Sequence, residues 1–258
     1  MKISIVTPSY NYGRFIGDAI QSVIDQDYGN KEYIIMDGGS TDDTYEVVRS
    51  FGELSYLKWI SEPDDGQTNA INKGFELASG DVVAWLNADD FYLPETFSRV
   101  AKAFKDNPDV DVIYGDTMFV DEKGNCKRIK KEHDFDFKIL LYYGCYIQST
   151  STFFRRRIFE EGNKLNESFR VVMDYEYFLR IYDRGYKFKY LPEVLSTFRW
   201  HGDNVSIKNK EIGLREKLNM RKKYSNINFS NDMSYKIYFE IMRYVCTARR
   251  LAKKRLLK

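Results

Sequence analysis

The sequence predicts an α/β protein: a mostly parallel sheet flanked by helices, followed by a helical C-terminal tail. Three observations predict it. Over the first hundred residues, short β-type apolar runs alternate with segments of helical apolar spacing, the pattern of βαβ units. One run, Val82 to Leu86, is apolar without interruption, as in a strand buried on both faces. From Ser206 onward the chain turns basic, with 15 Lys and Arg against 4 Asp and Glu. At 258 residues, 43% hydrophobic and 30% charged, there is material for one large domain with an appendage.

The elements follow in order. Lys2 to Val6 is a β run, stopped by Pro8 and Gly13, and Phe15, Ile16, Ala19, Ile20, Val23 and Ile24 then fall at helical spacing. Glu32 to Met36 is a second strand closed by Asp37-Gly38-Gly39-Ser40. Ser40 or Thr41 caps a helix through Val47, Val48 and Phe51, with Asp42 and Asp43 near its N-terminus. Tyr56 to Ile60 is a third strand. Ala70, Ile71, Gly74, Phe75 and Ala78 are helical, and Asp81 to Leu86 is the fourth strand. Three polar segments therefore collect at one sheet edge: 7–11, 37–40 and 87–90. Further on, Val112 to Tyr114 reads as a strand and Asp121–Asn125 as a hairpin turn. Phe135–Tyr143 reads as a helix, Thr152–Phe154 as a strand and Asp174–Tyr182 as a helix. Two strands follow, Lys187–Leu191 and Val194–Trp200.

Several function classes are disfavoured. No run approaches the roughly 18 apolar residues of a membrane span, and Met1-Lys2 leads straight into a strand, so no signal peptide is expected. The three cysteines, Cys126, Cys145 and Cys246, form no CxxC and read as reduced thiols of a cytoplasmic protein. With only His133 and His201, a histidine-rich zinc site is not expected. The turn after the first strand lacks GxGxxG, and no GxxxxGK[ST] occurs, which disfavours dinucleotide and P-loop sites.

Asp89 and Asp90 sit where open α/β sheets bind ligands. Adjacent carboxylates repel unless something offsets their charge. A divalent cation does so, since Mg²⁺ sites take one or two carboxylates plus substrate phosphates. The alternative is a solvated turn in which Asp90 caps the next helix.

Six motifs in one order resemble glycosyltransferase family 2, the nucleotide-sugar enzymes of the GT-A fold: TPSYN at 7–11, DGGSTDDT at 37–44, SEPDDGQTNAINKG at 61–74, LNADDFYLP at 86–94, MDYEYFLR at 173–180 and FRWHGDNVS at 198–206. The resemblance covers about residues 1–205. It implies a catalytic domain there, with a nucleotide-sugar half at 1–100 and an acceptor half at 101–205, and 206–258 as a basic tail. It implies inverting transfer of a sugar from a nucleotide donor, most simply a UDP-sugar, with Mg²⁺ or Mn²⁺. The acceptor implied is a hydroxyl of a glycan or lipid-linked glycan in cell-surface polysaccharide synthesis.

Carried over by the same resemblance, Thr7, Pro8 and Tyr10 line the nucleotide and Asp37 faces the base. Asp64, Gln67 and Lys73 lie near the donor. Asn87-Ala88-Asp89 stands for the family's DxD with Asn in first place, making Asp89 the metal ligand. His201 lies near metal and diphosphate. Asp174 matches the proposed general base, where Met173 replaces a common Glu; its plainer role is a helix cap. Gln148 and Ser149 fall in the region that faces the acceptor.

The tail carries +11 against −9 for residues 1–205, which suggests an anionic partner surface. Tyr238, Ile241, Met242, Val245, Ala248, Ala252 and Leu256 recur at helical spacing among Arg243, Arg249, Arg250, Lys253, Lys254 and Arg255. That pattern reads either as an interfacial helix on the inner face of the membrane or as a helix packed on the body. Nucleic acid is not an expected partner. Two other functions remain open from sequence: a metal-dependent nucleotidyltransferase, and a non-catalytic relative that binds membrane or RNA.

Overall fold

The computed structural model describes residues 1–225, 227 and 231–255. The strands are β1 (Ile3–Ser9), β2 (Lys31–Asp37), β3 (Leu57–Ser61), β4 (Val82–Trp85), β5 (Val112–Val120), β6 (Cys126–Lys130), β7 (Thr152–Arg155) and β8 (Phe188–Arg199). Among the described residues they form one sheet in the order β3-β2-β1-β4-β7-β5-β6, with β8 also pairing β5. The first four in that order run parallel; β7 is antiparallel to both β4 and β5, and β8 is parallel to β5.

Helices α1 (Gly13–Ile24), α2 (Thr44–Ser50), α3 (Gln67–Leu77) and α4 (Thr96–Asp106) alternate with the strands, as the periodicity predicts. Strand side chains alternate between faces, so β4 divides its residues between two cores. Val82 and Ala84 join Ile3, Ile5, Ile16 and Phe97 on one side. Val83 and Trp85 join Val6, Ile71 and Phe154 on the other. Trp85 stacks on Phe154 at 5.5 Å between ring centres. β4 is thus buried on both faces.

The second half departs from the sequence reading in three places. β5 continues past Gly115 to Val120 before turning back into β6, because β8 pairs it along its full length. The two strands expected at 187–200 are one strand, β8, in which Pro192 and Glu193 bulge opposite the Gly115–Asp116 step. A Cβ on Gly115 would lie 2.6 Å from the Glu193 carbonyl oxygen, so the bulge requires glycine there. Within 135–143 the helix runs from Phe137, and its Ile139–Tyr143 part is π-wound. The Asp136 carboxylate receives the Ile139 N–H at 3.2 Å.

After α5 (Arg157–Glu160), α6 (Met173–Asp183) and α7 (Val205–Lys208), the tail forms α8 (Lys210–Ser225) and α9 (Asp232–Arg255). Both pack on the body. Met220, Tyr224, Tyr235, Phe239 and Cys246 are continuous with the core that holds Trp85. Four cations near the end of α9 face the body, whereas Lys236, Arg243 and Arg255 are exposed. Arg250 meets Glu132 at 2.7 Å and Arg249 meets Asp136 at 2.6 Å, with Lys253 and Lys254 beside the same acids. The apolar row read from the sequence is split: Tyr238 and Met242 pack on the body, whereas Ile241 and Val245 face out with Met233, Ile237, Tyr244 and Leu251. Leu256 lies outside the described residues. Among the described residues no helix is long and apolar enough to cross a membrane.

Candidate active site

β1, β2 and β4 are neighbours and parallel, so the polar segments that follow them meet at one edge of the sheet. There they border a cavity of about 550 Å³, a size suited to a small ligand. Pro8, Tyr10, Asp64, Gln67, Asn87 and Asp89 line one part; Cys145, Gln148, Ser149, Asp174 and Phe198 line another. Asn11, with φ +57°, holds this rim together. Its N–H donates to Ser40 Oγ at 2.7 Å and its Oδ1 accepts the Thr41 N–H at 2.8 Å. Asn tolerates this left-handed backbone.

Asp89 and Asp90 play different parts. Asp90 is 1% exposed and accepts the Arg199 N–H at 2.7 Å and the Asn87 amide at 3.1 Å. Burial, with Asp89 beside it, pushes its carboxyl well above the usual range. It does not cap α4, whose cap position is Glu95. Asp89 lines the cavity, and its Oδ2 lies 2.9 Å from His201 Nε2. The Asp203 N–H points at His201 Nδ1 at 3.2 Å, which assigns the ring proton to Nε2. Arg199 locks both acids: Nε donates to the Asp89 carbonyl at 2.7 Å, and the far nitrogen meets Asp18.

The Asp89 carboxylate fits a hard divalent cation, and His201 would join it through Nε2 only once that nitrogen gives up the proton it shares with Asp89. No group of three or more His, Cys, Asp or Glu side chains converges among the described residues. Such a cation would therefore take its remaining oxygens from substrate phosphates, as Mg²⁺ commonly does.

Asn87 shows why the first acid of the motif is an amide. Its Oδ1 accepts from Gln67 at 2.8 Å while its Nδ2 donates to Asp90. A carboxylate could not donate, and it would be the third acid within four residues. Gln67 thus engages one of the two lone pairs of the Asn87 carbonyl.

Asp174 sits in the first turn of α6, but Val172 occupies the cap position. Its Oδ1 accepts the adjacent Tyr175 N–H at 2.7 Å. Burial pushes its carboxyl up from 3.8 to about 6, against the pull of that N–H, of Lys217 and of Lys130. A carboxylate in that range can accept a proton near neutral pH. The Cys145 thiol nearby is held well above its usual range by burial and by Asp174, so it is no nucleophile.

Other residues singled out from sequence fall outside the cavity. Thr7 is fully buried, its hydroxyl bonded to the Tyr33 hydroxyl at 2.9 Å, because alternation along β1 turns it into the sheet. Asp37 spends its carboxylate on Ser61 Oγ at 2.7 Å and on the Gly39 and Ser40 N–H groups. A base could meet it only by exchange for one of these. Lys73 pairs with Glu62 at 2.8 Å on the surface. Sequence reasoning missed Ser9, Tyr12, Arg170, Asn204 and Lys217, all of which line the cavity. The Ser9 hydroxyl is buried there without a protein partner. The second Tyr of the NYG turn was a signal for Tyr12; Lys217 gave none beyond the tail's charge.

The family model described as Glycosyl transferase family 2 matches residues 4–163. The chain belongs to glycosyltransferase family 2. Chondroitin synthase of Pasteurella multocida is 27% identical over 236 residues, covering 88% of this chain and 24% of that protein. The chain spans between 24% and 66% of the first three curated relatives it matches. Two solved structures share the fold. Staphylococcus aureus TarS 1–349 in complex with UDP-GlcNAc aligns with a TM-score of 0.67 at 20% identity, over 85% of this chain and 66% of that one. Mannosyltransferase PcManGT from Pyrobaculum calidifontis, in complex with GDP-Man and Mn²⁺, aligns with 0.67 at 18% identity, over 94% and 69%. The family 2 fold is that of GT-A enzymes: a mixed, mostly parallel sheet flanked by helices.

Proposed function

We propose that this family 2 glycosyltransferase moves a sugar, with inversion, from a nucleoside diphosphate sugar to a hydroxyl of a glycan or lipid-linked acceptor. The observation that carries the reading is that two of the acids lining one cavity stand in different surroundings. Asp89 stands beside His201, and Asp174 has its pKa raised. Asp174 takes the proton of the acceptor hydroxyl, whose oxygen attacks the anomeric carbon from the face opposite the leaving diphosphate. Pro8, Tyr10 and Asp64 border the nucleotide, and Gln67 holds Asn87 in place. Asp89 and His201 would hold Mg²⁺ or Mn²⁺, which offsets charge growing on the diphosphate. The relatives' polysaccharide synthases and the UDP-GlcNAc complex of TarS support a UDP-sugar and a polysaccharide product.

The outward row of α9 is our candidate for contact with the inner face of the membrane. Arg249 and Arg250 are engaged on the body, so this contact rests chiefly on Met233, Ile237, Ile241 and Tyr244, with Lys236 and Arg243 exposed on the same helix. The catalytic reading is tested by incubating the protein with nucleotide sugars, Mn²⁺ and candidate acceptors. Nucleoside diphosphate release together with an inverted anomer in the product is expected. Release of pyrophosphate instead would identify a nucleotidyltransferase.

A further inference from the structure

α8 does two things in consecutive residues. Glu216 receives the backbone N–H groups of Arg170, Val171 and Val172 at 2.8, 3.0 and 3.1 Å, latching the loop that leads into α6. Gly213, one turn earlier, packs so closely that a Cβ would meet Val171 at 2.9 Å. Lys217, the next residue, then reaches the cavity, as does Arg170 on the latched loop. Among the described residues these are the cations that line the cavity, and neither has an ion-pair partner there. Lys217 acts electrostatically on Asp174 and on Cys145, which puts it at the base's part of the cavity.

Resting on the glycosyl-transfer reading above, we propose that Lys217 and Arg170 seat a phosphate group carried by the acceptor, beside the hydroxyl that Asp174 deprotonates. Two unpaired cations match the two charges of a phosphate monoester or a diphosphate, whereas a carboxylate would leave one unanswered. Lysine serves as a point charge for phosphate, and arginine adds a planar fork for two of its oxygens. The phosphate is carried either by a lipid, as a sugar linked to polyprenyl phosphate, or by a soluble glycosyl phosphate.

The test uses the full chain with Mn²⁺ and a saturating nucleoside diphosphate, so that the donor site is filled. Glucose and glucose 1-phosphate are titrated by calorimetry. Glucose 1-phosphate should bind about tenfold more tightly than glucose, the scale of one charge-assisted hydrogen bond. Lys217→Gln should remove that preference and Lys217→Arg should restore it, while affinity for the nucleoside diphosphate moves less than about twofold. Vesicles of phosphatidylcholine with and without a sugar linked to polyprenyl phosphate form the second arm. Binding dependent on both Lys217 and that lipid assigns the phosphate to a lipid; dependence on Lys217 in the glucose 1-phosphate arm alone assigns it to a soluble glycan. Equal affinity for glucose and glucose 1-phosphate overturns the proposal. So does a Lys217→Gln protein that loses nucleoside diphosphate binding, because Lys217 then serves the leaving group. Failure of the wild type to bind any nucleoside diphosphate would strike the glycosyl-transfer reading instead.

Discussion

Asp174→Asn separates catalysis from stability in opposite directions. The carboxyl is raised from 3.8 to about 6 by burial, so the folded protein holds this proton more tightly than the unfolded chain does. The sign follows. Below about pH 4 both states are protonated and the site costs nothing. Between about pH 4 and 6 the unfolded chain gives up this proton while the folded protein keeps it, so stability falls across that window and is level above it. The difference corresponds to about 3 kcal/mol. It is an upper bound, because Asp174 is only half-buried and faces the open cavity. Asparagine keeps an oxygen for the Tyr175 N–H but carries no charge. At pH 8 the variant should therefore be more stable, with a Tm higher by up to about 5 °C for a chain of this size. At pH 4 the two proteins should melt together. Transfer at pH 8 should fall by roughly 10² or more, the scale of a lost general base, while nucleoside diphosphate binding persists. Paired melting curves at pH 4 and 8, alongside an initial-rate assay, decide it. A variant that melts lower than wild type at pH 8 would refute the desolvation argument, and one that transfers at the wild-type rate would remove Asp174 from the chemistry.

Other outcomes are expected together. Asp89→Asn and His201→Gln should each weaken nucleoside diphosphate binding in Mn²⁺ but not in EDTA, as read by calorimetry. Asn87→Asp should lose its bond to Asp90 and place a third carboxylate beside it, lowering urea resistance at pH 8 more than at pH 5. Glu216→Ala strips three backbone N–H groups of their acceptor and should cost about 1–3 kcal/mol in urea unfolding. Deleting 232–255 uncovers the surface under Phe239 and leaves Glu132 and Asp136 without their arginines; light scattering should report aggregation. In vesicle sedimentation, Ile237→Ser with Ile241→Ser should release the intact chain from anionic vesicles, and if both forms stay in the supernatant α9 does not touch membrane.

The donor side of the molecule was legible because its signals are local. Alternating runs define β1 to β4, and each strand's last residues are the site's first. Asp89 was read from the end of a strand, and Pro8, Tyr10 and Asp64 from the family resemblance; all four line the cavity. The errors on that side come from the period of two: Thr7 belongs to the right segment but points into the sheet. The acceptor side rests on contacts between residues far apart in the chain. Nothing in the sequence near Lys217 says that Glu216 grips a loop 45 residues earlier. The tail stayed open between two readings for a related reason. A basic helix and a membrane helix share one pattern, and only Glu132 and Asp136, buried on another element, reveal where the cations go.

The division of the cavity along the chain has a consequence for the moment at which the protein becomes active. The segments proposed for the donor are complete by Asp89, within the stretch that the family model matches, 4–163. Asp174, His201 and Lys217 come afterwards, and the core that steadies them includes Tyr235, Phe239 and Cys246. A ribosome delivers these parts in that order, N-terminal first. On the proposed function, the residues for the donor leave the ribosome before the proposed base and imidazole, so the helices that follow Asp174 set the point at which turnover begins.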